Sequence, residues 1–124
     1  MHATAEQDVS WLAIRQPAVM RLLERELADR DALGAGLELA CRVLGGRTSL
    51  GDLRLDHRAL QAGLAAVRDG HCDRAMVRSL RDQIAELPVA LTRGEEDTVA
   101  TVIAAVIWAV LDASVRDLGD SLVA

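Results

Sequence analysis

The chain has 124 residues and a formal net charge of −5, with 51% hydrophobic but only 2% aromatic residues. Phe, Tyr, Lys and Asn are absent and arginine supplies all 14 basic side chains, a GC-rich alphabet that removes phenol chemistry, Schiff-base lysines and a Walker-type phosphate contact. The length fits one domain, residues 1–124, able to bury a core without staples; the acidity argues against a duplex DNA footprint, and Trp11 and Trp108 alone are too few to stack on bases.

Residues 1–7 are polar and acidic, without the basic-then-apolar order of a secretory leader, so they are expected to be disordered and the protein cytoplasmic. A short helix around Val9–Arg15 precedes Pro17, whose fixed φ suits the start of the next helix, along which Val19, Leu23 and Leu27 recur at i, i+4, i+8. Leu33, Leu37, Cys41 and Leu44 make the following stripe, Gly45-Gly46 ends it, and residues 45–55 form the longest loop. Asp56 is placed to cap a helix with Leu60, Leu64 and Val67 inward, which Gly70 stops. Asp73 caps the next, with Met76, Val77, Leu80, Ile84 and Leu87 inward and Pro88 beyond its end; these two helices are expected to form a hairpin. Finally, Thr92-Arg93-Gly94-Glu95 has capping-box spacing, and Glu95, Glu96 and Asp97 place negative charge at the positive end of a long helix running to about Leu118.

That last helix carries one stripe of Val99, Ile103, Val106 and Val110 and another of Ala104, Ile107, Trp108, Leu111 and Val115. A helix apolar on nearly every side must be wrapped by its own bundle or by a second chain, so it is either the central element or a homodimer seam. Its apolar run, Val99 to Leu111, has 13 residues, short of the roughly 20 that cross a bilayer. The predicted fold is all-α: a single-domain bundle of five to six helices with a long, largely apolar C-terminal helix.

Charge is unevenly distributed. Residues 1–39 hold four Arg against seven acids, 40–82 eight against five, and 83–124 two against seven, which predicts pairing between the basic middle and the acidic ends. Within the middle, Arg74, Arg78 and Arg81 fall at i, i+4, i+7, opposite the apolar stripe of their helix, with Arg54 and Arg58 nearby in the chain. They are a solvated face, a docking surface for an acidic protein, since guanidinium binds carboxylate in a bidentate fork, or a recognition helix in a DNA groove, which needs more basic charge than the chain carries nearby.

Chemistry-bearing residues are sparse. Cys41 and Cys72 lie 31 positions apart without a CxxC pattern, adjacent His71-Cys72 is poor ligand spacing, and neither a metal nor a cofactor is expected. His71 beside Cys72 and Asp56 beside His57 point about 100° apart on a helix, so no catalytic residue is assigned. No P-loop or dinucleotide fingerprint occurs, and Gly34-Ala35-Gly36 is too short for one.

The segment Leu37-Glu38-Leu39-Ala40-Cys41-Arg42-Val43-Leu44, the amphipathic stretch from Arg58-Ala59-Leu60 to Arg68-Asp69-Gly70, and the Ala/Val-rich helix bearing Trp108 resemble the all-helical immunity proteins found beside bacterial secreted toxins. The resemblance covers residues 37–115 and is one of helix pattern, with fewer aromatics than that family uses. It implies inhibition of a cognate partner through a charged surface. The resulting expectation is a non-enzymatic interaction protein of immunity or adaptor type, with Arg74, Arg78, Arg81 and Arg58 as partner-binding residues and the acids at 95–97 as a further contact. The alternative is an accessory protein or small enzyme of natural-product metabolism. It would hold a small molecule in an apolar pocket near Trp108, with His57 or Cys72 as its polar group.

Overall fold

The computed structural model describes residues 13–45 and 55–123, with side chains over 13–44 and 55–113. These residues form an all-α bundle: α1 (Pro17–Glu26), α2 (Arg30–Gly45), α3 (His57–Arg68), α4 (Arg74–Glu86) and α5 (Arg93–Val123), with no strand among the described residues. Residues 13–15 are helical as well, the end of the short helix expected before Pro17. The expectations for residues 1–7, Trp11, Arg54 and most of the 45–55 loop lie outside the described residues.

Helix boundaries follow the capping chemistry. Pro17 opens α1. The Asp56 carboxylate accepts from the Ala59 N–H at 2.7 Å and Asp73 from the Ala75 N–H at 2.9 Å, each satisfying an amide that has no intrahelical partner. Gly70 takes φ +80°, the left-handed conformation that lets the chain leave α3. The capping box is formed in both directions: the Glu95 N–H donates to Thr92 Oγ1 at 3.2 Å, and the Thr92 N–H to Glu95 Oε1 at 3.0 Å.

With its 31 residues α5 extends about 46 Å, and it packs against each of the other four helices, most extensively α3. Val99, Ala100 and every residue from Val102 to Val106 are buried, so this part of α5 is enclosed on all sides as the central element of the bundle. Thr101 interrupts the run, but its hydroxyl donates to the Asp97 carbonyl at 2.8 Å and brings no unsatisfied group into the interior. Enclosure ends near Val110; Ile107 and Trp108 are half-buried and Leu111 is 50% exposed.

Three sequence expectations change. First, α3 and α4 are not a packed hairpin. They touch at most marginally because each lies on α5 instead, where the apolar surface is larger. Second, the inward face of α2 is Ala32, Ala35, Leu39, Ala40 and Leu44, while Leu33, Leu37 and Cys41 are only half-buried at its flanks. Three alanines share the inner face with Leu39 and Leu44, and Leu33 and Leu37 cover the margins. Third, α5 continues past Leu118 and through Gly119 to Val123.

Gln16 and Gly63 acquire roles only in three dimensions. Gln16 is 2% exposed and does not cap its own helix; its Oε1 accepts from the Leu55 N–H at 3.0 Å, tying the start of α1 to the entry of α3. Gly63 faces the α5 backbone. A Cβ there would lie 3.1 Å from the Ala105 carbonyl carbon and 3.3 Å from its Cα, so only glycine permits this backbone-to-backbone approach.

Candidate functional site

Two surface features are candidates for function, and the first is the arginine side of α4. Arg74, Arg78 and Arg81 are all exposed, but their environments differ. Arg81 Nη2 lies 2.7 Å from Asp97 Oδ1 on α5. One of the acids expected as a contact at 95–97 is therefore paired with one of the arginines expected to dock a partner. Arg68 likewise meets Glu26 at 3.6 Å, so the basic middle and the acidic ends do pair, as their distribution predicts. Arg74, Arg78 and Arg58, all exposed, have no ion pair among the described residues.

Two of these charges, Arg74 and Arg58, are placed against the helix dipole. Arg74 is the first residue of α4, where the partial positive end of a helix favours acids, and α4 has no acid in its first turn and no base in its last. Arg58 occupies the same kind of position at the start of α3. Cations near a helix N-terminus each lose a few tenths to about 1 kcal/mol at low salt, so helix stability does not explain why arginines stand there.

The second feature is a cleft of about 420 Å³ where the starts of α2 and α5 meet the end of α1, lined by Glu26, Asp29 and Glu95 together with Thr92 and Thr98. Two of its carboxylates already serve helix ends, and the third, Glu26, pairs with Arg25 and Arg68. Asp29 accepts from the Ala32 N–H at 3.2 Å and the Asp31 N–H at 3.1 Å, while Glu95 completes the capping box. The Ala32 amide, and then the Glu95 side chain, hold the Asp29 carboxyl below its ordinary range. That is the wrong direction for a general acid at neutral pH. Sequence reasoning missed Asp29 as a cap, although an Asp directly before Arg30-Asp31-Ala32 has the residue type and position that signal one.

Trp108, His57 and Cys72 do not line this cleft. His57 is exposed at the first position of α3, Trp108 is half-buried on α5, and Cys72 is half-buried against the core in the α3–α4 connection. Burial pushes the Cys72 thiol above its usual value, which keeps it protonated and weakens it as a nucleophile beside His71. Among the described residues no three His, Cys, Asp or Glu side chains are grouped to hold a metal ion, and no helix is long and apolar enough to cross a membrane. Comparisons with protein-family models, with curated proteins and with solved structures found no match.

Proposed function

We propose that the chain is a non-enzymatic intracellular interaction protein, of immunity or adaptor type, that holds an acidic protein surface against Arg74 and Arg78 on α4. The observation that carries this reading is that both arginines are exposed and without an ion pair among the described residues, with Arg74 at the helix end that disfavours it. Arg81 belongs to the fold, since Asp97 already holds it. Arg58, equally unpaired at the start of α3, is the candidate to extend the footprint.

Capture of partners from cells of the source organism, with wild type and with Arg74→Glu/Arg78→Glu, tests the reading. The expected result is an acidic protein that wild type retains at low salt, that high salt releases, and that the double variant does not retain. The melting temperature of the variant should stay level or rise slightly, because a glutamate at the first position of α4 suits the dipole that the arginine opposes. An unchanged set of bound proteins overturns the proposal.

A further inference from the structure

Resting on the reading just given, we infer that the partner presents an acidic helix laid along α4, with carboxylates four residues apart that meet Arg74 and Arg78 as Asp97 meets Arg81. The contact between Arg81 and Asp97 is the molecule's own instance of this arrangement: a carboxylate on one helix, 2.7 Å from a guanidinium on its neighbour, with both side chains about half exposed. The row of arginines continues from Arg81 to Arg78 and Arg74, but the supply of acids on α5 does not. After Asp97 the next carboxylate of α5 is Asp112, and the residues between are apolar apart from Thr98 and Thr101, neither of which carries charge. The chain can therefore satisfy one position of the row and leaves two for another molecule.

The pitch of the row sets the shape of that molecule. Residues four apart on a helix are separated by about 6 Å along the axis and lie on one face. Acids four apart on a second helix reproduce this spacing, so one partner face can engage both guanidiniums. Acids spread around a helix cannot. The charge is complementary and local: a chain of net charge −5 repels acidic partners in general, so binding at this edge depends on Arg74 and Arg78 being unpaired there.

The test uses three alanine-based helical peptides of about 20 residues. One carries glutamates four apart on a single face, one has the same number of glutamates distributed around the helix, and one has glutamine in place of glutamate. Binding to the full chain is followed by amide chemical shifts of α4 at low and high salt. The one-face peptide should bind, high salt should weaken it, and Arg74→Gln/Arg78→Gln should weaken it about tenfold, as expected for two exposed charge pairs. Arg81→Gln should leave the affinity within about twofold, since that arginine is already engaged.

Equal binding by the distributed or the glutamine peptide overturns the inference, as does an equal loss with Arg81→Gln or the absence of α4 shifts with the one-face peptide. If any of these occurs while capture of the cellular partner still depends on Arg74 and Arg78, the acidic-partner reading stands and the helical form of the partner does not.

Discussion

Replacing Gly63 with alanine is expected to destabilise the protein, although the same substitution inside an exposed helix normally helps. The added Cβ would meet the Ala105 backbone at 3.1 Å and 3.3 Å, with the carbonyl oxygen nearer still. No rotamer change can relieve a clash between two backbones, so α3 must back away from α5 by a good fraction of an ångström. A gap of about 0.5–1 Å forfeits a quarter to a half of each dispersion contact, and a buried leucine makes roughly 40–60 contacts of about 0.1 kcal/mol. Leu60 and Leu64, buried on either side of Gly63 in sequence, together lose about 2–6 kcal/mol on that basis. The better helix propensity of alanine returns about 1 kcal/mol, leaving a net loss of about 1–5 kcal/mol. Urea unfolding followed by circular dichroism reads this as a midpoint lowered by about 0.5–2.5 M, for a slope near 2 kcal/mol per M. Gly34→Ala is the control, because Gly34 is exposed on α2 and an added Cβ meets nothing within 4 Å. It should stabilise by up to about 1 kcal/mol. A Gly63→Ala variant as stable as wild type would refute the close approach of α3 to α5.

Gln16→Ala should cost about 1–3 kcal/mol in the same assay, because the Leu55 N–H loses its buried acceptor; a loss under about 0.5 kcal/mol would mean that water replaces the bond. Asp29→Asn tests the cap at the α2–α5 cleft through pH. The Asp29 carboxyl is held below its ordinary value in the folded chain, so its contribution is present above the unfolded value of about 3.9 and is lost as pH falls through the folded value. The stability difference between wild type and Asp29→Asn should therefore narrow as pH drops below about 4, and a constant difference from pH 7 to pH 2.5 would contradict it. Reversal of Arg74 and Arg78 should abolish partner capture without lowering the melting temperature, whereas Arg81→Glu, which sets like charge against Asp97, should lower it.

What the sequence by itself determined are the local features: the helical period, the Asp56 and Asp73 caps, the Gly70 stop, the Thr92–Glu95 box and the apolar run that became the central helix. Each is decided by residues within four positions of one another, where backbone geometry and hydrogen-bond chemistry leave few alternatives. The candidate site was legible to the same depth. The spacing of Arg74, Arg78 and Arg81 on one helix side could be read directly, but not that Asp97 takes Arg81 and leaves the other two. Tertiary structure alone decided which helices touch, that α3 and α4 both lie on α5, that three alanines with Leu39 and Leu44, rather than Leu33 and Leu37, line the inner face of α2, and that Gly63 and Gln16 are contact points. Those outcomes depend on how closely helices distant in sequence can approach, which is fixed by backbone sterics and by the burial of polar groups between them, and no periodicity along a single helix encodes it.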